Sequence, residues 1–158
     1  MSPRAAWRLE SLGFGEVYDY AGGKLDWMSA GLPTEGTNAA KPRAGALARK
    51  DVPTCRLDER LADVSRRARS LGWDSAVVVN EERVVLGLLR AHELAMDGNV
   101  EVAKAMRPAP STYRPYVPAE EMARAMVDQD RESSPITTSD GKLVGLLLRK
   151  DVLHAVGQ

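Results

Sequence analysis

The sequence has little cysteine, few aromatic residues and no surplus of charge of either sign. Its 158 residues include one cysteine, Cys55, which excludes an intramolecular disulfide and a cysteine-based metal cluster and suits a reducing compartment. The 22 basic and 22 acidic residues cancel, which argues against a nucleic-acid partner because such proteins carry a basic face. No apolar run is long enough to span a bilayer, and the amino terminus lacks the apolar segment of a secretory signal. We therefore predict a cytoplasmic protein with neither nucleic acid nor membrane as a partner.

The carboxyl-terminal part of the sequence contains a hairpin pattern followed by a helix pattern. Short apolar runs lie on either side of Ser139-Asp140-Gly141-Lys142, and an Asp-Gly pair in this position predicts a β-hairpin. The second run passes directly into Arg149-Lys150-Asp151 and then into helix-compatible residues. This arrangement predicts a helix that begins near Asp151.

The same pattern occurs twice in the chain. Gly87-Leu88-Leu89 matches Gly145-Leu146-Leu147, so that position 87 falls on position 145. We call this constant spacing the repeat offset. It holds without a gap from Arg49 to Leu94, which indicates an internal duplication. Each copy is predicted to contain a short strand, a helix, a hairpin and a second helix.

This repeat resembles the CBS domain, a regulatory module that occurs in tandem pairs. The shared features are a threonine before the first strand of each copy, the hairpin entry Ser134-Pro135-Ile136 and the closing pattern from Gly145 to Asp151. The resemblance covers roughly residues 48–156. It implies an α/β fold of two βαββα repeats packed with pseudo-twofold symmetry, with repeat 1 over 47–106 and repeat 2 over 107–158.

The resemblance also implies a ligand site. Asp151 would accept hydrogen bonds from the two ribose hydroxyls of an adenosine nucleotide, since one carboxylate can bind a diol, and Glu93 ranks second because its side chain is longer. Thr112, Ser134 and Pro135 would line the same cleft. Phosphates would be met by the basic residues Arg90, Arg149 and Lys150. The alternative interpretation is that Asp151 caps a helix and that the others are ordinary turn or solvated residues.

Two positions depart from the closing pattern of the family. Leu148 stands where the family has a hydroxyl residue, and the first copy has Arg90 there and Glu93 in place of the aspartate.

The helix that follows Pro118 is expected to turn one face toward the core. The inward-facing residues predicted on it are Met122, Ala125, Met126 and Val127.

Residues 1–33 form a separate segment with a predicted helix at 4–12, strand at 16–20 and helix at 24–30. The segment resembles the carboxyl-terminal third of a rhodanese, chiefly through Gly22-Gly23, Trp27, Gly31 and Pro33. In that family the catalytic cysteine loop would precede Met1, so we interpret the segment as a truncated αβα remnant or as the product of a start codon placed too late. Residues 34–46 are predicted to be a linker. Cys55 has the Cys-Arg spacing of a sulfurtransferase loop but aligns with Tyr113 of repeat 2, so we interpret it as a strand residue of the core.

No pair of residues resembles a catalytic base with its nucleophile, and neither His92 nor His154 has metal-ligand spacing to another such residue. We therefore predict a protein that is not an enzyme and has no resident cofactor or metal. The resemblance to CBS pairs implies a regulatory module that forms a homodimer and takes AMP, ADP or ATP as its ligand. Two alternatives stay open: an interaction module with empty clefts, and the remnant of a sulfurtransferase.

Overall fold

The computed structural model describes residues 3–18, 20–30, 32–37 and 39–157. The amino-terminal segment contains helix α1 (Pro3–Ser11) and helix α2 (Gly23–Ser29), as predicted. The strand predicted at 16–20 is wrong for residues 16–18 and 20, which are irregular. A strand needs a neighbour for its backbone hydrogen bonds, and no sheet of the described residues reaches this segment. The predictions for Asp19 and Gly31 lie outside the described residues.

Repeat 1 and repeat 2 each contain two short helices, one longer helix and three strands. In chain order the elements of repeat 1 are α3 (Ala44–Leu47), β1 (Thr54–Cys55), α4 (Leu61–Ser70), β2 (Ala76–Val79), β3 (Val85–Leu89) and α5 (Ala91–Leu94). Those of repeat 2 are α6 (Val102–Ala105), β4 (Arg107–Pro108), α7 (Ala119–Asp128), β5 (Ser133–Thr137), β6 (Leu143–Leu148) and α8 (Arg149–Ala155). Helix α6 lies within the bounds predicted for repeat 1, but it is counted with repeat 2 because it is the equivalent of α3 at the repeat offset. The last residues of the predicted linker, 44–46, lie in α3.

Backbone from each repeat pairs with the hairpin of the other repeat. The first sheet has the order β1-β2-β3-β4, with β1 parallel to β2 and the other pairs antiparallel. Arg107 of β4 therefore lies opposite Leu88 of the repeat 1 hairpin. In the same way Arg49 bridges to Leu146 of the hairpin β5-β6. The two pairings are equivalent, since Arg49 and Arg107, like Leu88 and Leu146, are separated by the repeat offset.

The pairings show the pseudo-twofold symmetry that the duplication predicted. Val84 bridges to Lys142, and these two residues are themselves equivalent, which places them beside the symmetry axis. Tyr113 bridges in parallel to Ile136 as Cys55 pairs with Val78. The fold is therefore an α/β arrangement of two related repeats with their hairpins side by side.

Two apolar clusters hold the repeats together. Strand β2 is buried along its whole length, as expected for a β-branched run covered on both faces. Met122 and Met126 of α7 are fully buried, which confirms their assignment to the core, and Ala125 is half-buried. The prediction that Val127 faces inward is wrong, because its side chain is 52% exposed. Only one face of the helix packs against the sheet, and the residue next to Met126 points away from that face.

Among the described residues, no helix has both the length and the apolarity needed to cross a membrane.

Candidate functional site

A groove runs between the two repeats and consists of two adjoining cavities. The central cavity has a volume of about 490 Å³, and the neighbouring cavity has one of about 380 Å³; both lie within the range of roughly 300–1,000 Å³ typical of ligand sites. They share Arg90, Arg107 and Ser133 in their walls. We call the two cavities together the inter-repeat groove.

The central cavity lies across the pseudo-twofold axis, because its walls contain equivalent residues from both repeats. The residues that line it are Asp74, Ser75, Arg90, Ala91, His92, Arg107, Glu132, Ser133, Leu148, Arg149 and Lys150. Four of these are cationic and two are carboxylates. The chain has a formal net charge of zero, so this region is more basic than the molecule as a whole, and a cavity of this kind attracts anions.

Glu93 fixes the position of Arg107 in the wall of the groove. The Nε–H of Arg107 donates a 2.7 Å hydrogen bond to Glu93 Oε1, and the backbone N–H of Arg90 donates one of 2.9 Å to Oε2. Glu93 is 5% exposed, and burial alone would raise the pKa of its carboxyl. The hydrogen bonds from Arg107 and from the Arg90 backbone outweigh burial and lower this pKa. The carboxylate is therefore ionised at neutral pH and holds Arg107 toward the groove.

Arg149 is fixed in a similar way on the opposite wall. Its guanidinium donates a 2.9 Å hydrogen bond to Asp130 and a 3.2 Å hydrogen bond to Glu132. Lys150, the next residue, is exposed and forms no ion pair with another described residue.

Arg90 lies at the junction of the two cavities. Its Nε atom is buried and finds no hydrogen-bond partner among the described residues. A buried donor without a partner costs free energy, so an acceptor placed in the groove beside Arg90 would be stabilised.

The other side of the module is built differently. Arg49, the equivalent of Arg107, lies with its guanidinium 4.6 Å from the centre of the Trp73 ring and forms a 3.0 Å ion pair with Asp51. The pKa of Asp51 is lowered, first by the hydrogen bond from Arg49 and in smaller part by one from Trp73. The pKa of Arg49 is raised, first by its hydrogen bond to Asp51 and in smaller part by the negative charge of Asp151. Asp151 therefore lies near Arg49.

The structure brings together some of the residues predicted for the site. Arg90, Pro135, Arg149 and Lys150 line the inter-repeat groove. Glu93 is buried behind it and reaches it only through Arg107.

Besides Glu93, three of the predicted residues are not placed in these walls. Thr112 is exposed and lines neither cavity. Ser134 is 1% exposed and lies on the opposite face of β5 from Pro135, because neighbouring residues of a strand alternate. Asp151 lies near Arg49 and also lines neither cavity. These three residues therefore lie outside the two cavities of the groove, and their part in ligand binding stays a prediction.

Sequence reasoning missed most residues of the groove, among them Arg107, Ser111, Arg131 and Ser133. Arg107 and Ser133 carried a usable signal, because they repeat Arg49 and Ser75 at the repeat offset. Arg131 carried none, since its equivalent is Trp73.

Cys55 belongs to the core, as predicted. The residue is 2% exposed, and burial raises the pKa of its thiol to about 12. The thiolate is the nucleophilic form of cysteine, so this thiol is inert at neutral pH.

Comparisons with known proteins define the class to which this fold belongs. Residues 101–158 match the CBS domain family. The cytosolic domain of the Mg²⁺ channel MgtE, solved in complex with ATP, is 27% identical with a TM-score of 0.60, over 70% of this chain and 51% of that one. CBSX2, solved in complex with AMP, is 19% identical with a TM-score of 0.66, over 73% of this chain and 96% of that one. The fold is that of a tandem pair of CBS repeats.

A curated relative extends the comparison to sequence. An uncharacterized protein of Methanopyrus kandleri is 26% identical over 118 residues, which cover 70% of this chain and 60% of the relative. The chain thus spans less than two thirds of this relative and about half of the MgtE domain. None of these findings supports the resemblance of residues 1–33 to a rhodanese, which stays a hypothesis.

Proposed function

We propose that the chain is a regulatory, non-catalytic module that binds an adenosine nucleotide in the inter-repeat groove. The observation that carries the proposal is the concentration of positive charge where the repeats meet: Arg90, Arg107, Arg149 and Lys150 lie around one cavity of an otherwise neutral protein. Two proteins of similar fold were solved with ATP and with AMP, which supports a nucleotide as the ligand.

The groove offers a place for each part of such a ligand. Phosphate oxygens would accept hydrogen bonds from Arg90, whose Nε has no other described partner, and from Arg107, which Glu93 holds in place. The apolar base would lie at one side of the central cavity. Neither candidate acid lines these walls, since Glu93 is buried behind Arg107 and Asp151 lies near Arg49. A ribose held by Asp151 stays the arrangement that the sequence predicted.

Thermal unfolding in the presence of AMP, ADP and ATP tests the proposal. A ligand at a hundred times its dissociation constant adds about 2.7 kcal/mol to the free energy of unfolding, which for a chain of this size raises Tm by roughly 5–10 °C. Inorganic phosphate at the same concentration is the control for a nonspecific charge effect. A folded chain whose Tm no nucleotide changes would favour the alternative, an interaction module with empty clefts.

Further predictions concern the assembly of the chain, its location and the sulfurtransferase alternative. The homodimer stays a prediction, and light scattering of the full chain at tens of micromolar tests it, with a monomer as the contrary result. The cytoplasmic location is likewise a prediction. A sulfurtransferase would need a reactive thiol, whereas the thiol of Cys55 is buried with a pKa of about 12.

A further inference from the structure

The two sides of the groove are equivalent by symmetry but differ in several side chains. On the first side stand Arg107, Ala109 and Arg131 with the acid Glu93; on the second their equivalents are Arg49, Asp51 and Trp73 with the acid Asp151. We call these the Arg107 side and the Arg49 side. The differences decide where each arginine points and which acid is free.

On the Arg49 side the arginine is engaged by neighbouring side chains and lines neither cavity of the groove. Asp51 holds the Arg49 guanidinium by two hydrogen bonds, and the guanidinium lies over the indole of Trp73. A stacked arginine and tryptophan attract each other through a cation–π interaction. Trp73 is itself part of the core at 6% exposure, so its ring cannot withdraw without opening the core.

On the Arg107 side the cleft stays open. Ala109 replaces Asp51 and cannot hold the arginine, so Arg107 turns to Glu93 at 2.7 Å. Arg131 replaces Trp73 and donates a hydrogen bond to Ser111 Oγ at 3.2 Å, at the rim of the cavity of about 380 Å³. The space that Trp73 occupies on one side is therefore available on the other.

The acid on the open side is not available to a ligand. Both oxygens of Glu93 already accept hydrogen bonds, one from Arg107 and one from the Arg90 backbone, and the side chain is almost fully buried. Glu93 is therefore not available to a ribose diol in this cleft. The acids that do line the walls are already engaged, Asp130 and Glu132 by Arg149 and Asp74 by the Ser75 hydroxyl. Recognition there falls to the apolar walls Leu88 and Pro135 and to the arginines around the phosphates.

We propose that the module binds one nucleotide per chain, on the Arg107 side, and recognises it by base and phosphates without using the ribose hydroxyls. The stack of Arg49 on Trp73 closes the other side. This inference rests on the proposed function and deepens it, since it names the side, the stoichiometry and the part of the ligand that is read.

Isothermal titration calorimetry with ATP and with 2′,3′-dideoxy-ATP tests the inference on the unmodified chain. We expect one site per chain and affinities for the two ligands within about twofold of each other. If a carboxylate holds the diol, the dideoxy compound loses charge-assisted hydrogen bonds and binds at least about tenfold more weakly. That result, or two sites per chain, would overturn the inference and leave the proposed function standing. Absence of heat with ATP would overturn both.

Three variants of the protein test the same inference. Arg90→Leu places in repeat 1 the residue that repeat 2 has at Leu148, and we expect it to weaken ATP binding at least about tenfold. Asp151→Asn is expected to change affinity by less than about twofold. Arg66→Leu, on the exposed surface of α4, is the matched control for loss of one positive charge. Loss of binding in Asp151→Asn with full binding in Arg90→Leu would assign the nucleotide to the Arg49 side and refute the inference.

Discussion

The glycines that begin the closing pattern of each repeat, Gly87 and Gly145, allow a test of how the repeats interlock. A Cβ built on Gly145 would lie 2.7 Å from the carbonyl oxygen of Arg49, and that backbone is fixed by a pair of hydrogen bonds to Leu146 of 2.9 and 3.0 Å. A Cβ built on Gly87 would instead overlap the Sδ atom of Met106, and it would lie farther, at 3.2 Å, from the carbonyl oxygen of Arg107. The two equivalent positions therefore meet obstacles of different stiffness.

We expect Gly145→Ala to be destabilising and Gly87→Ala to be nearly neutral. Overpacking against fixed atoms costs about 1–3 kcal/mol, while replacing glycine by alanine gains about 0.4–1 kcal/mol from the unfolded state. At Gly145 the backbone cannot yield, so the net loss is about 1–2 kcal/mol. At Gly87 the flexible thioether of Met106 can rotate away, and the two effects offset each other.

Urea unfolding of the two variants measures the difference. With a slope of roughly 2 kcal/mol per molar urea, the midpoint for Gly145→Ala falls by about 0.5–1 M, while that for Gly87→Ala moves by less than half as much. Equal midpoints, or a larger loss in Gly87→Ala, would refute the view that Gly145 packs against a fixed backbone and Gly87 against a flexible side chain.

Three further predictions concern buried polar groups. Ser134→Ala should leave stability unchanged or raise it by about 1 kcal/mol, because the buried hydroxyl has no described partner and the equivalent residue is Ala76; a clear fall in Tm would show that the hydroxyl is satisfied. Glu93→Gln should cost roughly 1–2 kcal/mol at pH 7 in urea unfolding. Since the folded pKa of Glu93 is lowered, the advantage of wild type is full above the ordinary carboxyl pKa and is lost as pH falls through the folded value; a penalty that stays constant down to low pH would contradict this. The Cys55 thiol should react with a disulfide reagent far more slowly in the folded chain than in urea, and equal rates would show that it is exposed.

Much of the fold could be predicted from the sequence, because the same pattern of strands and helices occurs in both repeats. The repeat offset predicted the pseudo-twofold symmetry, and the bridge of Val84 to Lys142 obeys it. Periodicity did not show that β4 pairs with the hairpin of repeat 1, since nothing local in a two-residue strand encodes its partner. The strand expected at 16–20 failed for a related reason: alternation alone cannot supply a neighbouring strand.

The site was harder to predict than the fold. Ser134 and Pro135 were assigned to one cleft although adjacent residues of a strand point to opposite faces, and the same rule would have selected Ser133. Asp151 was grouped with residues of its own repeat, whereas the strand exchange brings it near Arg49. The engagement of Glu93 by Arg107 depends on side-chain reach and burial, which the sequence does not contain.

Amide chemical shifts of the ¹⁵N-labelled chain during titration with ATP test the central claim most directly. We expect saturable shifts concentrated at Arg90, Arg107, Ser111 and Ser133, with small changes at Trp73 and its neighbours. Saturable shifts centred on Trp73 and Asp151, or weak shifts spread over all charged surfaces, would contradict the assignment of the inter-repeat groove on the Arg107 side as the nucleotide site.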